Sequence, residues 1–141
     1  MVVNSTANFF QDGMDIVYQE GDLELARDFL GSNLKTIEVL LSRDPDNQKM
    51  NLLAAQSFGA YAMAFVQDQE PERAKNLYKR ALNYAFRSLP DKIVFHQDIT
   101  LDELDKLLPK YKKSDVPYLF WTAYNWGNLI LMELDDPASL M

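Results

Sequence analysis

The chain has 141 residues, a formal net charge of −7 and no cysteine. That length allows one domain, at most two, and can bury roughly two-thirds of its unfolded surface without staples. With 48% hydrophobic and 25% charged residues, the composition is globular rather than disordered or fibrous. Zero cysteine excludes disulfides, thiolate nucleophiles and Cys-based metal sites. The acidic balance works against non-specific binding of nucleic acid or anionic membranes. No apolar run approaches the roughly 20 residues that span a bilayer. The opening Met1-Val2-Val3-Asn4-Ser5-Thr6 lacks the charged and apolar regions of a signal peptide.

The apolar spacing is helical almost throughout, and no period-two alternation is sustained. A first, weaker helix is expected over Ala7 to Tyr18, with Phe9, Phe10, Met14, Val17 and Tyr18 inward. Glu20-Gly21-Asp22 stops it, and Asp22 is placed to cap the next helix. That second helix carries the clearest stripe: Leu23, Ala26, Leu30, Leu34, Ile37 and Leu41, at steps of three and four. Gly31 and Ser32 in its middle predict a kink or a close contact. Pro45 ends it by disfavouring helical geometry at Asp44, and Asp46 or Asn47 then caps a third helix.

The third helix, expected over Gln48 to Gln67, is apolar on several sides. Met50, Leu53, Ser57, Tyr61, Ala64 and Phe65 form one face; Leu52, Ala55, Gly59, Ala62 and Val66 form most of another. A helix of that kind is sandwiched between neighbours, and its small residues let them approach closely. After a short turn, Pro71 opens an amphipathic fourth helix. Its inward set is Ala74, Leu77, Tyr78, Ala81, Leu82, Ala85 and Leu89, and its basic residues face out. Lys92 to Thr100 is irregular, with Ile93, Val94 and Phe95 as a short extended piece or a loop under the core. Thr100 and Glu103 form a capping-box pattern that opens a short helix to about Leu108.

Asp115 is expected to cap a last long helix with Pro117 in its first turn. Phe120, Ala123, Tyr124, Gly127, Ile130, Leu131 and Leu134 make one face of it, and Tyr118, Trp121 and Leu129 spread the apolar surface further round. Asp135-Asp136-Pro137 is a further helix start with four residues after it. The expectation is a longer parent chain, or a partner that completes the layer.

The third and fourth helices together look like a degenerate tetratricopeptide (TPR) unit, two antiparallel helices with small residues where they cross. Ala74, Tyr78, Ala81 and Leu82 meet the second-helix pattern. Gly59 and Tyr61 fall away from the usual first-helix offsets. A plain helical bundle is the alternative.

The resemblance becomes specific over longer stretches. Leu52-Leu53-Ala54-Ala55 and Gly59-Ala60-Tyr61-Ala62-Met63-Ala64-Phe65-Val66 are followed by Glu72-Arg73-Ala74-Lys75-Asn76-Leu77-Tyr78 and Lys79-Arg80-Ala81-Leu82. Then come Asp115-Val116-Pro117-Tyr118-Leu119-Phe120-Trp121-Thr122, Trp126-Gly127 and Asp135-Asp136-Pro137. In order and spacing these resemble the T component associated with tripartite ATP-independent periplasmic (TRAP) transporters. Asp-Val-Pro-x-x-Phe-Trp-Thr is the most specific part. The resemblance runs from about Ala7 to Leu140 and covers the N-terminal half of a typical member. It implies an all-α, TPR-like, periplasmic lipoprotein, lipid-anchored in its precursor, that forms trimers and associates with the substrate-binding P component. The short Val66-to-Pro71 link and the missing lipid-accepting Cys depart from the pattern.

Other signals have ordinary readings. Asp12 with Asp15, and Asp44 with Asp46, lack the ligand series of a calcium loop and read as turns and caps. His96 beside Asp98 has no nucleophile to serve. The five glycines are scattered and make no phosphate loop. Lys106, Lys110, Lys112 and Lys113 read as solvated surface.

The aromatic residues are the functional lead. Tyr118, Phe120, Trp121, Tyr124 and Trp126 share one helix, and Tyr61 and Phe65 share another. Helical spacing cannot put all five of the first group on one inward stripe. Some face a groove or partner, where Tyr and Trp offer area plus a polar handle; packing under further helices is the other reading. The expected function is a non-catalytic scaffold, without cofactor or metal, that binds the P component and a hydrophobic or organic-acid ligand. A general helical adaptor for peptides is the competing reading. An enzyme is disfavoured because no nucleophile, metal or cofactor motif is present.

Overall fold

The computed structural model describes residues 2–90 and 99–134. His96, the Ile93-Val94-Phe95 stretch and the helix start at Asp135 lie outside the described residues, as do the side chains of Phe10, Asp15 and Tyr18. The described chain is all helical: α1 (Val2–Tyr18), α2 (Leu23–Leu41), α3 (Gln48–Phe65), α4 (Pro71–Ser88), α5 (Leu101–Leu107) and α6 (Val116–Leu134). Two 3-10 turns, Leu108–Lys110 and Lys113–Asp115, join α5 to α6.

The helix ends follow capping chemistry written in the sequence. The Asp22 carboxylate accepts from the Glu24 and Leu25 N–H groups at 3.1 Å each. Asn47 accepts from the Met50 N–H at 3.0 Å and donates its amide to Asp44 at 2.9 Å, so this Asp-rich turn is a cap. Buried Asn51 ties the same turn down by donating to the Pro45 and Asn47 carbonyls at 2.8 and 3.0 Å. The Thr100–Glu103 capping box is present in both directions. Asp115 stands immediately before α6. Its carboxylate reaches back to the Lys112 N–H at 2.8 Å and closes the 3-10 turn before that helix.

Helix α3 is the hub and touches α1, α2, α4 and α6. Met50, Leu53, Ala54, Ala55, Phe58 and Ala62 are all essentially inaccessible, although they point in different directions around its axis. Helices α3 and α4 form the tightest pair, joined by the turn 66–70. Tyr78, fully buried on α4, donates its hydroxyl to Gln67 in that turn at 2.7 Å. Ala74, Ala81 and Ala85 are wholly buried on α4, which lets its neighbours close in.

Helix α6 crosses α3 at Gly59, where a Cβ would collide with the Asn125 side-chain oxygen. Asn125 is fully buried and donates its amide to the Ala55 carbonyl at 3.1 Å and to the Trp121 carbonyl at 2.8 Å. These two acceptors fix the amide orientation, and its oxygen, with no hydrogen-bond partner, faces the glycine backbone. A Cα–H···O contact is the interaction that such an approach permits.

A polar clasp joins α2 to α4. The Glu38 carboxylate accepts from Arg80, from the Tyr84 hydroxyl at 2.8 Å and from Lys35 at 2.8 Å. The Arg80 guanidinium also lies 4.5 Å from the centre of the Phe58 ring. Burial pushes the Glu38 carboxyl up, but the hydrogen bonds from Lys35, Arg80 and Tyr84 and the charge of Arg80 outweigh it. The group is held at about 2.

Some edges of the sequence-based pattern move. Helix α1 starts at Val2, earlier than expected, and packs on α3 through Met14 rather than along α2. That choice turns Phe9 outward, 74% exposed, where an inward position was expected. Leu23, at the first turn of α2, is likewise exposed, because that end of the helix overhangs the core. Helix α3 stops at Phe65, with Val66 as its buried C-cap. Ala64 faces solvent and Leu89 is only half-buried.

Two predictions follow the packing. Gly59→Ala will cost about 1–3 kcal/mol by overpacking the crossing. Combined with Asn125→Ala, it will cost less than the two singles together, by at least about 0.5 kcal/mol in a double-mutant cycle read by denaturant unfolding. The Glu38 carboxyl titrates at about 2 in the folded chain against an ordinary 4.5. Its contribution is therefore complete above the ordinary value and is lost as pH falls through the folded value. Melting curves of wild type and Glu38→Gln will differ at neutral pH and converge as the pH falls from about 4.5 towards 2.

Candidate binding surface

The polarity of α6 is inverted relative to a simple amphipathic helix. Its buried residues are Thr122, Asn125 and Leu129, with Trp121, Trp126 and Met132 half-buried beside them. Thr122 donates its hydroxyl to the Tyr118 carbonyl at 2.8 Å, and the Asn125 amide donates to two carbonyls, so both polar residues enter the interior with their donors used. The face made by Phe120, Ile130, Leu131 and Leu134 points to solvent, with Phe120 54% and Leu131 61% exposed. The reason is steric: short side chains that hydrogen-bond locally let α6 sit down on Gly59 and Ala55, and rings could not.

The aromatic residues form two groups. Phe120, Trp121 and Tyr124 cluster on α6, with Trp121 edge-on to Phe120 at 5.2 Å and to Tyr124 at 5.0 Å. Tyr124 stacks on Phe120 at 6.0 Å and donates its hydroxyl to the Met63 sulfur at 2.6 Å. Tyr118 and Trp121 line a hollow of about 320 Å³ with Leu52, Gln56 and Lys49. Trp126 packs against the core instead.

Tyr61 and Phe65 pair at 5.6 Å on α3 and point elsewhere. Tyr61 is only 7% exposed, and its ring lies where a Cβ at Gly31 would make ordinary contact at 3.5 Å. A side chain would therefore fit at Gly31, and the structure shows no close approach that requires the glycine there. Tyr61 belongs to a second hollow of about 290 Å³ between α2, α3 and α4, whose wall carries Lys35, Arg73, Asn76 and Arg80. Phe65 borders a third hollow with Leu23 and Arg27. The seven aromatic residues therefore serve separate places. Of the basic residues of the second hollow, Arg73 and Arg80 belong to the α4 face that the sequence offered as solvated surface or a site for an acidic partner, and Lys35 was not singled out. The α2 wall is visible only in three dimensions.

A sequence model of the family described as TRAP transporter T-component matches residues 19–141, and it spans α2 to α6. This chain belongs to the TRAP transporter T-component family. Neither the curated proteins nor the solved structures yielded a match. A T-component is a periplasmic-side accessory component of a transporter, not a known enzyme. Among the described residues of this T-component no helix is long and apolar enough to cross a membrane. The family match begins after α1, so that helix lies outside the matched stretch.

The two rings at the centre of the T-component's α6 cluster differ in what they support. Trp121→Ala will destabilise the fold by about 2–4 kcal/mol, because it empties space against α3. Phe120→Ala will cost under about 1 kcal/mol, because that ring is solvent-facing. Denaturant unfolding of the two variants measures the contrast.

Proposed function

We propose that this T-component is a non-catalytic, TPR-like scaffold that docks the substrate-binding P component of its transporter on the outer face of α6. The observation that carries the proposal is the exposed apolar row Phe120, Ile130, Leu131 and Leu134 beside the Trp121–Tyr124 cluster. Contiguous exposed apolar surface marks an interaction site, and aromatic anchors dominate binding energy where they become desolvated. Family membership supplies the class of partner. The α3–α4 hairpin, with buried alanines on both helices, supports the TPR-like reading. A periplasmic, lipid-anchored precursor and a trimeric assembly belong to the same proposal.

The ligand part of the proposal rests on the second hollow. Lys35, Arg73 and Arg80 surround a floor that includes Leu34, Phe58 and Tyr61. Lys35 and Arg80 are paired there with Glu38, and Arg73 with Glu70, so an organic acid with a hydrocarbon body would bind over the apolar floor by taking these cations from their carboxylates. The competing reading, a general peptide adaptor with no transport role, would use the same α6 face.

Pull-down of the full-length protein with its cognate P component tests the docking. Wild type will retain the P component at micromolar concentration. Phe120→Ser with Leu131→Ser will lose it while remaining folded and cooperatively unfolding, with a melting temperature lowered by no more than several degrees. Absence of association by wild type would overturn the partner, and undiminished association by the double variant would overturn the surface.

A further inference from the structure

A third apolar surface lies at the opposite end of the sequence. Helix α1 leans on α3 and leaves a wedge between itself and α2. The wedge is a groove of about 530 Å³, with Phe9 and Ile16 on one wall and Leu25 and Phe29 on the other. Gly13 widens it in the middle, and the polar lining is confined to Glu20 and Asn33. Ile16 is 72% exposed and Leu25 57%. On α1 the lining runs from Phe9 to Val17, which is about 12 Å, or just over two helical turns. The wall residues on each helix recur at helical spacing, so the groove is two parallel rows with a trough between them.

Charge decides what fits. The first 34 residues hold six acidic side chains and one basic one, which is −5 of the chain's −7. Glu20 lines the groove itself, and Asp12 and Asp28 are exposed one position from the wall residues Gly13 and Phe29. The one basic residue, Arg27, lines a different hollow beside Met63 and Phe65. An apolar trough with an acidic rim repels anionic membranes and organic acids. It complements a helix with an apolar stripe and basic flanks, the helix-in-groove mode of recognition. A second copy does not supply that chemistry from its described residues. The exposed apolar face of α6 has no Lys or Arg anywhere on its helix. The basic helix α4 has its apolar face buried. Short α5 carries three acidic residues.

We propose that the α1–α2 groove is a docking site for a basic amphipathic helix of another protein. This site is separate from the α6 surface and from the cationic hollow, and one of its walls lies outside the family match.

The test uses fluorescence anisotropy with three labelled synthetic peptides of roughly 18 residues, long enough for anchors at i, i+4 and i+7. One is a Leu/Lys amphipathic helix, one the same pattern with Glu for Lys, and one the Leu/Lys composition in scrambled order. At physiological ionic strength the Leu/Lys helix will bind the full chain at least about tenfold more tightly than either control. Ile16→Ser and Phe29→Ser, both at exposed positions, will each weaken it at least about tenfold with unchanged circular dichroism. Asp12→Asn with Asp28→Asn will weaken it and flatten its salt dependence. The proposal is overturned if the Glu peptide or the scrambled peptide binds equally well, if the serine variants bind as wild type does, or if the Leu/Lys helix does not bind. It is also overturned if light scattering shows a wild-type dimer that Ile16→Ser dissociates, since a second copy would then fill the groove. The same serine variants will keep the P component in the pull-down, so failure here and failure of α6 docking are separable.

Discussion

Helix α3 has to satisfy four neighbours at once, and most of the structure follows from how it does so. A helix surrounded on nearly all sides cannot carry large side chains in every direction, because neighbouring axes would be forced apart and leave voids. Here Ala54, Ala55, Ser57, Gly59 and Ala62 make close approach feasible, while Met50, Leu53 and Phe58 fill the gaps between neighbours. Gly59 is the point of closest approach. The Asn125 amide occupies the volume a side chain would need and is held there by the Ala55 and Trp121 carbonyls.

That crossing has a consequence for the surface. Helix α6 presents its Thr122–Asn125–Leu129 stripe to α3 and α4, so Phe120, Ile130, Leu131 and Leu134 on the opposite face point out. A burial pattern that spends polar side chains inside and leaves Phe120, Leu131 and Leu134 in solvent costs hydrophobic free energy in the isolated chain. Such a surface is sensible when another molecule covers it, which is how a scaffold component of a transporter would use it.

Charge is distributed as unevenly as apolarity. Between α2 and α4, Glu38 is engaged by Lys35, Arg80 and Tyr84, so charges there are spent on joining helices. At the N-terminal end, Glu20 lines an apolar trough, and Asp12 and Asp28 are exposed one position from its wall residues Gly13 and Phe29. The first arrangement holds the bundle together; the second creates a field that selects a cationic visitor. The hollow between α2 and α4 is thus lined by cations already paired with carboxylates, whereas the α1–α2 trough lies in an acidic stretch of the chain.

Much of the architecture was legible in the residues alone. The caps at Asp22 and Asn47, the Pro71 start of α4 and the Thr100–Glu103 box rest on contacts within a few residues, which local chemistry dictates, and the stripe from Ala26 to Leu41 is written in its helical periodicity. The all-round apolarity of α3 announced a helix enclosed by others, and the Asp-Val-Pro-x-x-Phe-Trp-Thr segment pointed to the family. What the sequence left undetermined was which way two helices would turn. Helices α1 and α6 each carry apolar residues on more than one side, so periodicity alone gives no preferred face. The choice fell to long-range fit: Asn125 over Gly59 set the rotation of α6, and Met14 on the core set that of α1. The site residues follow from those rotations. Phe120 and Ile16 are exposed, and Tyr61 is buried beside Gly31, for reasons that lie tens of residues away in the chain.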